Sequence, residues 1–324
     1  LLPHDKTMLI TKIAPVKYDP EAACPVWRKF LKDIFAKNTE LINFVQRVLG
    51  WTLTGDTSSQ AMFILYGNGA NGKSTFINTI MKLMGDYATS TPTETFMQKK
   101  GDQASNDIAR LKGRRFVSAM EAEYGGKLAE AVIKRLTGDD MISARFLYGE
   151  FFDFLPTFKI FMATNHKPKI GGMDNAIWRR IRMVPFEVSF SENKQDRMLS
   201  KKLENELPGI LAWIVEGTLK WQKNGQGVLP AILEATSVYR HEMSAIETFL
   251  GDMCVKNPNI INFTGSILLL LFPKMTIKVY ICRNFPPVPP IKMEISESQG
   301  SFKGTSNLPS CCALLLFFLI YLPY

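Results

Sequence analysis

Residues 62–74 read Met62-Phe63-Ile64-Leu65-Tyr66-Gly67-Asn68-Gly69-Ala70-Asn71-Gly72-Lys73-Ser74. The first five are apolar and β-prone, and the next eight match GxxxxGK[ST] letter for letter. The stretch from Thr75 to Met84 has helical character, and Gly85 stops it. Strand, glycine loop and helix, in that order, form the context in which this pattern cradles phosphate. Glycines let backbone N–H groups close around phosphate oxygens, and the helix N-terminus adds the positive end of its dipole. The candidate nucleotide-binding residues are Gly67, Asn68, Gly69, Ala70, Asn71, Gly72, Lys73, Ser74 and Thr75. Lys73 suits the β- and γ-phosphates, and Ser74 suits Mg²⁺.

Three downstream segments complete the pattern. Arg115 to Met120 reads as a strand with Glu121-Ala122-Glu123 at its end. In extended backbone residues i and i+2 face the same way, so both carboxylates can look into one site. Glu121 is the candidate metal ligand and Glu123 the group that orients water; the alternative is a solvated pair capping a loop. Thr157 to His166 reads as an apolar strand ending in Thr164 and Asn165. The Asn165 amide suits the γ-phosphate or the attacking water, against the plainer reading of an Asn in a turn. Ile177 to Phe186 carries Arg179 and Arg180, either of which can supply transition-state charge from a neighbouring subunit. The alternative is a basic surface strand.

Around this core the chain of 324 residues has 46% hydrophobic and 21% charged residues. These values exclude a disordered, collagenous or many-span membrane chain. The net charge of +9 permits a polyanionic partner without requiring one. Residues 159–182 hold six Lys/Arg against Asp174 alone, which concentrates charge near Asn165 and the arginine pair. Cys24, Cys254, Cys282, Cys311 and Cys312 form no CxxC pair, which suits a reducing compartment. Neither a signal segment nor a full-length membrane span is read, so no membrane is expected. The chain begins at Leu1 rather than Met, which implies upstream sequence.

The pattern divides the chain into four parts. Residues 1–60 are an extended segment and a helical subdomain, with Trp27, Phe30, Leu31, Ile34 and Phe35, then Leu41, Phe44, Val45, Val48 and Leu49, at helical spacing. Residues 61–190 alternate strands and helices. Residues 191–258 are helical, with Leu199, Leu203 and Leu207 on one face and a break at Pro208-Gly209. Residues 259–324 change character: five Lys/Arg and two Asp/Glu, a leucine run, Phe285 to Pro290, and an apolar stretch from Ala313 to Leu322. No sustained helix or strand period is read there, and a shifted reading frame or a divergent extension, disordered or aggregation-prone, is expected. The tryptophans are read as core, and His4, His166 and His241 lack metal-ligand spacing.

In this order of motifs the sequence resembles the superfamily-3 helicases of viruses, phages and plasmids, a branch of the AAA+ ATPases. It is more closely similar to the helicase domain of phage and plasmid primase-helicases, related to the poxvirus type. The resemblance is carried by 67–75, Glu121 and Glu123, 134–140, Ser143-Ala144-Arg145, 154–159, 163–168 and Trp178-Arg179-Arg180. It spans about residues 10–257 and implies an α/β fold: a P-loop NTPase core of AAA+ type with a parallel-rich sheet flanked by helices, preceded by a small helical subdomain. It implies ATP and Mg²⁺ at Lys73, Ser74 or Thr75, Glu121 and Glu123, a sensor at Asn165, and a finger at Arg179 or Arg180. Residues 141–156 resemble a hairpin that grips single-stranded DNA. Its tip lacks Lys, which leaves Arg145 with Tyr148 as a stacking residue. Ala122 splits an acidic pair that is adjacent in many relatives, so the division of roles within it stays open.

The implied activity is ATP-driven helicase translocation on single-stranded DNA at a replication fork by a homo-hexameric ring. The setting is the cytoplasm of a host cell, and a primase domain is expected upstream. Two other readings remain: a P-loop kinase without a nucleic-acid track, and a non-catalytic DNA-binding remnant of a mobile element.

Overall fold

The computed structural model describes residues 2, 5–98, 106–120, 126–171, 174–227, 229–243, 254–256 and 280–282. Its contacts form two units, residues 1–243 and 244–324. In the first, an extended segment leads into helices α1 (Pro25–Ile34) and α2 (Thr39–Thr52). Pro25 opens α1, where a missing N–H costs no hydrogen bond. The Glu206 carboxylate accepts from the Val26 and Trp27 amides at 3.0 and 2.9 Å, so a distant residue caps this helix. Asn38 caps α2 by accepting from the Leu41 amide at 3.0 Å. The apolar faces read from spacing are the buried ones, from Trp27 to Phe35 and from Leu41 to Leu49.

The sheet region follows as β1 (Met62–Tyr66), α3 (Lys73–Met84), β2 (Ala88–Ser90), the single turn α4 (Asn106–Ala109), β3 (Phe116–Met120) and α5 (Glu130–Thr137). It continues through the hairpin strands β4 (Ile142–Ala144) and β5 (Phe152–Phe154), then β6 (Lys159–Thr164), α6 (Asn175–Trp178) and β7 (Ile181–Pro185). Helices α7 (Leu199–Asn205), α8 (Leu207–Asn224) and α9 (Pro230–Met243) close the unit. Pro208 lies in the first turn of α8, so the break read at Pro208-Gly209 is a helix start.

Five strands form one sheet in the order β2-β3-β6-β1-β7, and every neighbouring pair is parallel. Such a sheet needs cover on both faces, which explains why its central strands are apolar throughout. Alternation divides them. Phe63, Leu65, Phe116 and Phe161 join a core with α1, α2, α3 and α8. Met62, Ile64, Val117, Ile160 and Met162 join a second core with α5, α9 and the hairpin. Phe161 stacks between Phe63 at 5.0 Å and Phe116 at 4.6 Å, and truncating such a buried ring costs about 3–5 kcal/mol. Helices α2 and α8 meet backbone to backbone. A Cβ on Gly50 would lie 2.2 Å from the Thr218 nitrogen, and one on Gly217 would lie 2.1 Å from the Gln46 carbonyl oxygen.

Because the strands are parallel, the sheet has two chemically distinct ends. Tyr66, Met120 and Thr164 finish their strands at the carboxyl end. Lys159 and Ile181 begin theirs at the amino end, fed by the hairpin and by Arg179-Arg180. The chain reverses its lateral direction around β1, and ligand sites of open parallel sheets lie at the carboxyl end of such a switch point.

In the second unit β8 (Cys254–Lys256) pairs antiparallel with β9 (Tyr280–Cys282), in register Cys254 with Cys282. Residues 259–324 thus contain a three-residue strand where no sustained strand period was read. The rest of that tail lies outside the described residues. Among the described residues no helix is long and apolar enough to cross a membrane.

Candidate functional site

The glycine loop joins β1 to α3 at the carboxyl end of the sheet. Gly67 is buried, and a Cβ there would lie 2.1 Å from the Phe186 carbonyl oxygen and 2.5 Å from the Asn71 amide nitrogen. Gly72 has φ +87° and caps α3 in the left-handed region. Its missing side chain makes room for α1, since a Cβ would meet Ile34 Cγ2 at 2.7 Å. A Cβ on Gly69 would find nothing within 4 Å, so the outer rim of the loop is open. The loop is tied to the segment after β7: the Phe190 amide donates to the Ala70 carbonyl at 2.9 Å, and Ser189 Oγ donates to the Asn68 and Gly69 carbonyls at 3.1 Å each.

Asn71 is buried and does two things at once. Its amide nitrogen donates to the Phe186 carbonyl at 3.3 Å, and its oxygen accepts from Lys73 Nζ at 3.1 Å. Lys73, in the first turn of α3, is 6% exposed. Its ammonium also donates to the Gly67 carbonyl at 2.5 Å and to Asn165 Oδ1 at 2.8 Å. Three neutral acceptors hold the charge, and burial lowers the Lys73 pKa from its ordinary value. Asn165 reaches it because β6 lies beside β1 with Thr164 opposite Tyr66. Two residues far apart in sequence, picked by separate motifs, therefore share a hydrogen bond. Ser74 is exposed and Thr75 half-buried on the same first turn of α3. Glu121 and Glu123 follow β3, the strand next to β6, and lie outside the described residues.

The arginine pair separates by burial. Arg180 is 7% exposed, and its guanidinium donates to Thr137 Oγ1 at 3.2 Å and to the Ala176 carbonyl at 2.8 Å. Arg179 is exposed and donates to Gln60 Oε1 at 3.3 Å. Both precede β7, where Ile181 is opposite Met62, the first residue of β1. Five residues of β1 stand between that level and the glycine loop, about 15 Å of strand.

At the same amino end stands the hairpin β4–β5, with Ile142 opposite Phe154 and Ala144 opposite Phe152. Phe146, Leu147, Tyr148 and Phe151 at its tip are 48%, 68%, 98% and 61% exposed. Tyr148 takes φ +61°, a left-handed position unusual for a large side chain. The Arg145 guanidinium lies 4.8 Å from the Phe151 ring centroid.

The charge concentration read over 159–182 does not make one surface. Lys159 is 1% exposed at the foot of β6, donating to the Thr54 carbonyl at 2.7 Å and lying 4.6 Å from the Trp51 ring. Burial and the nearby Arg115 charge lower its pKa to about 7, against a partial opposing pull from Asp56. Lys167 pairs with Glu242 at 2.6 Å, and Arg180 is buried. Sequence reading passed over a different group, Arg110, Lys112, Arg114 and Arg115, although four basic residues in six were visible. A cavity of about 460 Å³ between residues 18–28 and α8 is lined by Cys24, Arg28, Trp213 and Glu216, and no glycine-loop residue borders it.

Comparison with known proteins adds kinship. A family described as D5 N terminal like matches residues 1–36, and a family of unknown function, DUF5906, matches 65–180. "Putative helicase L207/L206" of Acanthamoeba polyphaga mimivirus is 27% identical over 249 residues, covering 71% of this chain and 26% of that protein. "Putative primase C962R" of African swine fever virus is 23% identical over 274 residues, covering 77% and 28%. "Primase D5" of fowlpox virus is 28% identical over 165 residues, covering 49% and 20%. The chain spans about a quarter of the length of the first of these relatives. The apo NrS-1 C-terminal region shares the fold, with TM-score 0.56 at 11% identity over 72% of this chain and 54% of that one. Together these matches support a primase-helicase family of viral replication proteins as the chain's kin.

Proposed function

We propose that residues 1–243 are the ATP-driven motor of a replication helicase of superfamily-3, AAA+ type, translocating on single-stranded DNA as a ring. The observation that carries this reading is the meeting of Lys73 and Asn165 at the lip of an open glycine loop, at 2.8 Å. A buried ammonium held only by neutral oxygens is poised to exchange them for phosphate oxygens, which repay its desolvation far better. Asn165 is then released to hydrogen-bond the γ-phosphate or the attacking water. The open rim at Gly69 and the first-turn amides of α3 suit the remaining phosphate oxygens.

For Mg²⁺ the described residues supply one donor, the Ser74 hydroxyl. The ion is commonly held by one or two protein groups together with substrate phosphates and water, and the exposed Ser74 hydroxyl lies on the first turn of α3. When bound it would neutralise developing charge on the phosphates. Ser74 would hold it with Glu121, and Glu123 would orient water.

Arg179 is the better finger of the pair. It is exposed, whereas Arg180 is engaged internally, and it lies at the end of the sheet away from its own loop. It therefore serves a neighbour's site, which supports a ring, with six subunits proposed. The hairpin supplies the DNA grip through Arg145 and the exposed Tyr148 ring. The test is ATP hydrolysis with and without single-stranded DNA, together with particle mass in ATP. DNA-stimulated turnover by a hexamer-sized particle is expected. Turnover indifferent to DNA would overturn the track, and no turnover would overturn the motor.

A further inference from the structure

Beside the hairpin, the turn between α4 and β3 carries Arg110, Lys112, Gly113 and Arg114. Arg114 is engaged inward: its guanidinium donates to the Asp86 and Ala88 carbonyls and its Nε to the Arg110 carbonyl. That anchoring fixes the turn and leaves Arg110 and Lys112 exposed on it. Gly113 has φ +68°, and a Cβ there would lie 2.9 Å from Lys12 Cε, so the Lys12 side chain crosses over the turn from the N-terminal segment. Among the described residues no carboxylate pairs with Lys12, Arg110 or Lys112. Ion pairs among the described residues engage other lysines, such as Lys29, Lys134 and Lys167.

The turn is also fastened to the hairpin. Lys112 Nζ stands 4.4 Å from the centroid of the Phe152 ring, and Phe152 packs on Phe146 at 5.6 Å. Asn106 Oδ1 accepts from the Leu147 amide at 3.3 Å, tying the tip to α4. The basic turn and the exposed aromatic tip are thus one continuous surface. Cations that track a backbone beside rings that stack on bases are the combination used for single-stranded nucleic acid.

We infer that Lys12, Arg110 and Lys112 form a phosphate-backbone site for single-stranded DNA that extends the hairpin grip along the amino end of the sheet. This deepens the proposed nucleic-acid track and rests on it. The occupant is a sequence-independent polyanion strand: the tip offers stacking faces, and the turn offers cations that suit backbone phosphates. Lys112 has a double part. Its ammonium polarises the Phe152 ring and holds the hairpin, while its remaining N–H groups face a phosphate. Strand binding and hairpin posture are then coupled through one side chain.

The test is fluorescence anisotropy of a labelled oligothymidine with the full chain, titrated from about 50 to about 200 mM salt. Three proteins are compared with the parent: K12Q/R110Q/K112M, Lys112→Arg, and a charge-matched control, K32Q/K201Q/K223Q, at exposed positions elsewhere. Each lost contact to a single strand lowers the slope of log affinity against log salt by about 0.7, so the triple variant should lose about two. Its affinity should fall about tenfold or more at the low-salt end, with an unchanged thermal unfolding midpoint. Lys112→Arg should keep the parent slope, since ring contact and charge both survive. Met at 112 keeps an apolar stem over Phe152, which separates charge loss from hairpin loss. A parent that binds, with equal slopes for triple variant and control, overturns this inference and leaves the track standing. A parent that does not bind overturns the track itself, and this site with it.

Discussion

The two ends of the central sheet are built on opposite rules. At the carboxyl end polar groups satisfy one another: buried Lys73 and Asn71 are joined by hydrogen bonds to the Gly67 carbonyl and to the exposed Asn165 at the lip of the loop. At the amino end large apolar groups and cations stand in solvent, from Tyr148 at 98% exposure to Arg110 and Lys112. One end is organised to hold a small anion by geometry, the other to hold a long one by surface. A single parallel sheet imposes this separation, because loops after strands and loops before strands cannot share a face.

The comparison can be broken most sharply at Lys73. Lys73→Ala should reduce ATP hydrolysis below detection in a phosphate-release assay while leaving far-UV circular dichroism unchanged. Full hydrolysis would remove the phosphate role of the carboxyl end. Next is the arginine pair: Arg179→Ala should cost about a thousandfold in turnover with nucleotide affinity retained. Arg180→Ala should instead lower thermal stability, because it strips hydrogen bonds from Thr137 Oγ1 and the Ala176 carbonyl. Equal effects on turnover and stability at both positions would erase the distinction. At the amino end, Tyr148→Ala should weaken oligothymidine binding by about thirtyfold, the worth of one stacked base, without altering DNA-free ATP turnover.

The smallest effect concerns the foot of β6. Lys159 titrates at about 7 in the folded protein against its ordinary 10.5. Between those values the unfolded chain carries the extra proton, so raising pH favours the folded state. This group should add about 1 kcal/mol of stability per pH unit from pH 8 to 9. Denaturant melts of parent and Lys159→Met should show that slope in the parent and its loss in the variant. Equal slopes would mean that Lys159 is solvated.

Local chemistry was legible in the sequence wherever it depends on neighbours along the chain. The 62–74 stretch gave strand, loop and helix because glycine and apolar runs act locally, and helical spacing identified Trp27 to Ile34 as core. The hairpin at 142–154 also stands where family resemblance implied it. What escaped was anything decided across the sheet. Arg179 and Arg180 are adjacent and chemically identical in sequence, and only the packing of α6 against α5 buries one of them. In sequence Lys159 is only one of six Lys/Arg over 159–182, yet Trp51 and Thr54 from α2 and its following turn enclose it. The Arg110 to Arg115 group was visible as composition, but its meaning lies in Phe152, contributed from beyond α5.

The crossing of α2 and α8 at Gly50 and Gly217 bears on how this chain can be rewritten. With backbones already in contact, any side chain at either position must push two helices apart, and both helices hold the core over the sheet. A saturation library at 50 and 217 should return glycine alone among folded clones. The same library at Leu219, two residues away and 62% exposed, should accept nearly every residue. Freedom to vary in α8 is thus set residue by residue by the face each position takes, since Ile210, Trp213 and Ile214 are buried whereas Leu219 is exposed, and a recoded version of the chain would be designed outward from the Gly50–Gly217 crossing.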